Sequence, residues 1–299
     1  MPRLPGAAAP PLAAAARPRT IRPMRPALSI DPPLATIPGI LAEEGVDAFQ
    51  TVLRDPGRFG NYGVPDPADR GALLEGLRGR STWGVAHGSL LVNLASPEGR
   101  IRNSSVSSVI ADLKVAAELG LAGVCFHVGY AKGHPSVDAA MTLAARKLGE
   151  LVAKMPAGVR VLVENSCEGS ELGQTVAELA WLVRQVGAPV EQVALLIDTC
   201  HLHAAGFDLS GADAGARLAD ALASEDMLDR VAAFHFNDCQ LPCGAHRDRH
   251  AAPGEGTIGD GLLSVAGHPA FRGLPAVLEI SVEDARRGLG FLRSGGAIA

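Results

Sequence analysis

Aromatic side chains make up only 4% of this 299-residue chain, so a surface that binds by stacking many bases has little to work with. Long apolar runs are also missing. None approaches the roughly 18 residues of a membrane-spanning helix, so no membrane partner and a cytoplasmic location are expected. Cysteine is sparse and odd in number. Cys125, Cys167, Cys200, Cys239 and Cys243 are scattered, which argues against a disulfide framework and for reduced thiols. Cys239 and Cys243 sit four apart, with no second pair to complete a zinc ribbon. A glycine-rich phosphate turn after an early strand is lacking, which disfavours an open doubly wound nucleotide-binding sheet. Acidic residues are absent before Asp31. Residues 1–26, rich in Ala, Pro and Arg, are expected to be a disordered tail ahead of a single domain at 27–299. The early prolines oppose an amphipathic targeting helix, and Met24 is a second candidate start.

What remains is ample for a core. Hydrophobic residues are 47% of the chain, enough for one large α/β domain. Short apolar runs alternate with stretches of helical period. Strands are expected at Ala27–Ile30, Ala48–Leu53, Trp83–His87, Gly123–His127, Val159–Glu164, Val193–Asp198, Val231–Phe236 and Pro275–Ile280. Between them, Val106 to Leu119 (closed by Gly120), Leu148 to Val152 and Val176 to Val183 read as helices. Eight strand–helix repeats predict a parallel (β/α)8 TIM barrel. Its first unit is the weakest, because Ala27–Ile30 runs into Asp31-Pro32-Pro33.

The strand ends carry the chemistry. His87, His127, Glu164, Asp198, His235 and Glu279 each fall at or beside the end of one apolar run. In a TIM barrel those ends meet at one mouth. Asp198-Thr199-Cys200-His201 adds His201 three residues beyond a strand, and Asp248-Arg249-His250 adds two more donors from a later loop. A single strand-end histidine is usually a core residue, and a single glutamate usually half of an ion pair. Nine such residues, five imidazoles and four carboxylates, form the donor mixture that zinc, manganese and iron prefer, with about three ligands for each of three ions. The formal charge of −5 disfavours a nucleic-acid partner for the bare chain. Three divalent cations add six charges and turn it into +1.

The chain resembles the endonuclease IV family of zinc-dependent apurinic/apyrimidinic endonucleases from about Val46 to its end. Asp47-Ala48-Phe49-Gln50, Asn93-Leu94-Ala95-Ser96-Pro97, Phe126-His127, Val163-Glu164-Asn165 and Gly169-Ser170-Glu171-Leu172-Gly173 match. So do Asp198 to Gly206 and His235-Phe236-Asn237-Asp238. The run from Asp248-Arg249-His250 through Gly254-Glu255-Gly256-Thr257-Ile258-Gly259 is the most specific. The resemblance implies a first ion on His87, His127 and Glu164. Glu164 bridges to a second ion on Asp198, His235 and Glu279, and His201, Asp248 and His250 take a third. It further implies zinc, with manganese in part, and action on duplex DNA with abasic sites; a monomer is the simplest expectation. The implied reaction cuts the phosphodiester 5′ to the abasic deoxyribose and leaves a 3′-hydroxyl, with Glu164 organising the nucleophile.

Departures fall in the expected DNA-contacting loops. Gly88-Ser89-Leu90 follows His87 where the family carries an aromatic, so Leu90 is expected to wedge apolarly. Pro56-Gly57-Arg58-Phe59 places Arg58 near the family's groove-entering arginine. Arg249 is either a contact to a flanking phosphate or a solvated loop arginine. Ser29-Ile30-Asp31 replaces the family's Gly-x-His. The alternative is a xylose-isomerase-like sugar isomerase or epimerase with one ion on Glu164, Asp198, His235 and Glu279, which leaves the other five donors unexplained. A metal-binding relative that has lost DNA is the third reading.

Overall fold

In the computed structural model, which describes residues 23–60 and 63–298, eight parallel strands close into a barrel. They are β1 Arg25–Ser29, β2 Ala48–Val52, β3 Trp83–His87, β4 Gly123–Phe126, β5 Arg160–Glu164, β6 Val193–Asp198, β7 Val231–His235 and β10 Pro275–Leu278. A two-stranded antiparallel pair, β8 Asp238–Cys239 and β9 His250–Ala251, stands apart on the β7 side of the mouth. Around the barrel run α1 Ile37–Glu44, α2 Pro67–Gly76, α3 Gly99–Glu118, α4 Val137–Val152, α5 Val176–Val186, α7 Ala214–Ser224, α8 Gly261–Gly267 and α9 Val282–Ser294, with the short α6 Thr199–Ala204 directly after β6. The first strand, the weakest in the sequence pattern, pairs with both β10 and β2.

One boundary is corrected. The strand begins at Arg25, two residues before the predicted Ala27, and Met24 bridges to Ile298. Residues 24–26 therefore belong to the barrel. Arg25 secures this end by bonding the Asp47 side chain and the carbonyls of Asp47 and Ser81. Residues 1–22 of the expected tail lie outside the described residues.

Alternation along the strands sorts the core into two layers. Side chains such as Val124, Val161, Val163, Leu195 and Ile197 face the helices in the main core. Val85, Cys125, Leu162, Leu196 and Ala233 form a separate buried cluster, and Ala27, Ala48 and Val277 another, with Trp83 packed against both. These small clusters fill the barrel interior. Two residues further along each strand, on the same face, come His87, His127, Glu164, Asp198, His235 and Glu279, with Gln50 above Ala48. The polar mouth is the next layer of the same interior stack.

Candidate metal centre

Local structure sets the carboxylates first. Asp198 ends β6 and is also the N-cap of α6, where its Oδ1 accepts from the His201 backbone N–H at 2.7 Å. That bond fixes the side chain and places His201 one helical turn on. Asp198 Oδ2 accepts from Asn237 Nδ2 at 3.0 Å. Asn165 clasps the backbone of the same residue, giving Nδ2 to its carbonyl and taking its N–H. Glu164, fully buried, faces two pairs of imidazoles. Its Oε2 lies 3.2 Å from His87 Nε2 and 3.6 Å from His127 Nε2. Its Oε1 lies 2.7 Å from His235 Nδ1 and 3.5 Å from His201 Nδ1.

The remaining donors close the set. His235 Nδ1 is 3.3 Å from Glu279 Oε2 and 3.7 Å from Asp198 Oδ2. His201 Nε2 is 3.2 Å from Asp248 Oδ2, and His250 Nε2 is 3.1 Å from Asp248 Oδ1. Ligands about 2.1 Å from a tetrahedral zinc stand roughly 3.4 Å from one another. The observed separations scatter around that value. All nine predicted donors meet at one mouth.

The histidines fit an ion better than they fit each other. Each offers one nitrogen to the carboxylates and anchors the other on an oxygen. His87 Nδ1 bonds Gly88 O, His127 Nδ1 bonds Ser166 Oγ, and His250 Nδ1 bonds Glu279 O. His201 Nδ1 meets Asn165 O, and His235 Nε2 meets Gln50 Oε1 at 2.7 Å. This is the arrangement that orients metal-ligating imidazoles. His201 Nε2 and His250 Nε2 are buried and make no hydrogen bond among the described residues, although carboxylate oxygens stand close by. A buried orphan nitrogen is costly unless something electrophilic completes it.

Electrostatics agrees. Burial pulls His87 down, but its bond to Glu164 and the charges of Glu279 and Glu164 lift it to about 9. His250 is likewise pulled down by burial and lifted by Asp198 to about 9. Burial pushes Glu164 up, yet His127 and His235 hold it well below the ordinary range. His127 moves the other way, lowered by burial and by its neighbours His201 and His87 against the pull of Glu164. Protons here balance a surplus of carboxylate, the role that bound cations would take over.

Two groups in the centre stand in the sequence only as members of the matching runs, with no role assigned. Gln50, buried in β2, donates through Nε2 to Glu279 Oε1 at 2.7 Å while its Oε1 meets His235. Asp238 accepts from the backbone N–H groups of Cys239, Gly254, Ile258 and Gly259, and so ties down the loop after β9. Gly256 is required there, since a Cβ would lie 2.3 Å from Cys239 O. The expected DNA contacts lie in loops on the same face. Leu90 is 60% exposed, and its N–H bonds Pro56 O at 3.0 Å, joining its loop to that of Arg58. Arg58 and Arg249 are both exposed and reach toward solvent.

This architecture matches the family described as xylose isomerase-like TIM barrels over residues 39–295. A probable endonuclease 4 of Solibacter usitatus is 36% identical over 263 residues, which span 84% of this chain and 88% of that one. The chain belongs to the endonuclease IV family. The crystal structure of endonuclease IV from Thermus thermophilus superposes with a TM-score of 0.74 at 30% identity, covering 91% of this chain and 98% of that one. As a member of the endonuclease IV family the chain is a hydrolase of the nuclease class. A D-tagatose 3-epimerase-like protein superposes at a TM-score of 0.71 with 20% identity, covering 91% and 97%, a likeness of fold alone. A four-ligand epimerase site would leave His87, His127, His201, Asp248 and His250 without a purpose, though all five stand at the same mouth.

Proposed function

We propose that the chain is a DNA-repair phosphodiesterase that cuts duplex DNA on the 5′ side of an abasic deoxyribose and leaves a 3′-hydroxyl. Convergence of five anchored imidazoles and four carboxylates on one mouth carries this reading, beside the family relationship. The donors divide into three sets. His87, His127 and one oxygen of Glu164 form the first. The other oxygen of Glu164, with Asp198, His235 and Glu279, forms the second, and His201, Asp248 and His250 the third. Zinc suits this nitrogen–oxygen mixture, and manganese is compatible with part of it. Divalent ions held there would lower the pKa of a water and offset negative charge on the phosphoryl and leaving oxygens.

The chain's own residues do the rest. Glu164, with an oxygen in each of two sets, holds them together. The anchors on Gly88, Ser166, Asn165, Gln50 and the Glu279 carbonyl keep each ring from rotating away. Leu90 is positioned to wedge beside the abasic site, and Arg58 and Arg249 to meet phosphates. The chain is expected to act as a monomer.

Cleavage of a duplex oligonucleotide with one tetrahydrofuran abasic analogue, beside its undamaged twin, tests the proposal together with metal analysis. A single 5′ cut with about three ions bound is the expected result. An uncut duplex with one ion bound would favour the epimerase reading. Glu164→Gln should abolish cutting while circular dichroism shows an intact fold, and cleavage at the wild-type rate would remove Glu164 from its bridging role.

A further inference from the structure

Two residues beyond His201, the same short helix presents a different set of donors. His203 is buried near the end of α6, Asp208 follows in the next loop, and Cys243 comes from the loop between β8 and β9. None of the three belongs to the nine donors of the central site. One imidazole nitrogen, one carboxylate oxygen and the thiol sulfur lie within 4.8 Å of one another. His203 Nδ1 stands 3.7 Å from Asp208 Oδ1.

Hydrogen bonding fixes which nitrogen carries the lone pair. The Thr257 hydroxyl lies 2.6 Å from Leu241 O and 3.1 Å from Cys239 O, so its single proton is committed to a carbonyl. Toward His203 Nε2, 3.3 Å away, it can only accept. Nε2 therefore carries the ring proton and Nδ1 the lone pair. In agreement, Nδ1 accepts from the Leu209 N–H at 3.2 Å. The lone pair thus sits on the nitrogen that stands beside Asp208.

The other two donors are also held. Asp208 Oδ1 accepts from Ser210 N and Oγ at 2.8 and 2.7 Å. The loop of Cys243 is fastened to the end of α6 by Gly244 N–H to His203 O at 3.1 Å and His246 N–H to Ala204 O at 2.9 Å.

We propose that His203, Asp208 and Cys243 form a separate metal site for one zinc-type ion. Sulfur, nitrogen and oxygen from three side chains, with a fourth position left to water, is a zinc donor set, and the thiolate and imidazole exclude magnesium and calcium. On binding, the ion takes the lone pair that now accepts from Leu209, and the Cys243 thiol loses its proton to solvent. The site joins the end of α6, which carries His201, to the loop that carries Asp248 and Arg249 and leads into His250 of β9. Its role is to stiffen the joint between two elements that supply the third donor set. The site stands whether or not the central one cuts abasic DNA.

Cobalt(II) tests this directly, because the nine central donors contain no sulfur. Full-length reduced protein, stripped with chelator and reloaded with cobalt(II), is expected to show a thiolate-to-cobalt charge-transfer absorption. Cys243→Ser, at an exposed position, should remove that band and lower the bound metal by about one ion per chain. Asp208→Asn should weaken the band. Wild-type protein without the band at saturating cobalt would overturn the proposal. So would a band that survives Cys243→Ser, since Cys200 lies within 4.8 Å of donor atoms of Asp198 and His250, and Cys125 within 4.8 Å of those of His87 and Glu164.

Discussion

Gln50 joins three groups that no local pattern connects. From the middle of a strand its amide bonds Glu279 and His235, and its Oε1 also accepts a hydrogen bond from the Cys125 thiol at 3.4 Å. An amide can donate to one neighbour and accept from another at once, so it fixes Glu279 and the His235 tautomer together. Gln50→Leu should therefore lower metal affinity or turnover by about 10–100-fold, as losses of supporting contacts around metal ligands typically do. Titration of the stripped protein with zinc reads this, and an unchanged affinity and rate would reduce Gln50 to filler. The imidazoles add a pH signature. His87 and His250, raised to about 9, hold protons at pH 7 that bound cations must displace. Zinc uptake at pH 7 should release protons, visible as a calorimetric enthalpy that changes with the buffer. The sign for stability follows. A histidine raised above its unfolded value stabilises the metal-free fold fully below about 6.5, and that contribution is lost as pH rises through about 9. Stripped protein should melt lower at pH 9 than at pH 7, with the gap closing when metal is restored.

Elements differ in how much of their role is visible in the sequence. The strands of the third to seventh units announce themselves, because an apolar run that ends in His, Glu or Asp carries both the burial and the site. Asp198-Thr199-Cys200-His201 is legible for the same reason: helix cap and proposed ligand are one residue. The start of β1 is not legible, since Arg25 and Pro26 are poor strand formers whose place is set by β10 and by Asp47. The roles of Gln50 and Asp238 are equally hidden, because their partners are brought near only by closure or by a distant loop. Arg54 shows this dependence at the level of a loop. Buried, it pairs with Asp112 of α3 and donates to Gly60 O at 2.7 Å, so α3 holds the segment that displays Arg58. Asp112→Ala takes the carboxylate from a buried guanidinium and should cost roughly 3–5 kcal/mol of stability. Denaturant unfolding measures it, and a loss below ~1 kcal/mol would mean that the pair behaves as a surface ion pair.

The whole molecule carries a formal charge of −5, the wrong sign for a polyanionic duplex. On the proposed reading, divalent ions at the mouth would reverse it locally, where a duplex substrate would lie. Chelation should thus weaken duplex binding as well as cutting, and the difference between stripped and loaded protein should shrink as salt rises. Fluorescence anisotropy with a labelled abasic duplex shows this, and equal affinity at low salt would assign binding to the loops alone. The interior stack has a consequence in time as well as in space. Donors rise in one layer from β3 to β10, and the Gln50–Glu279 bond crosses the seam where the last strand meets the first two. A growing chain that has not yet made Pro275–Leu278 has an open sheet, an incomplete donor set and a Gln50 with no Glu279 to hold. Strand closure is therefore also a safety catch: the polypeptide cannot become a nuclease until it has finished becoming a barrel.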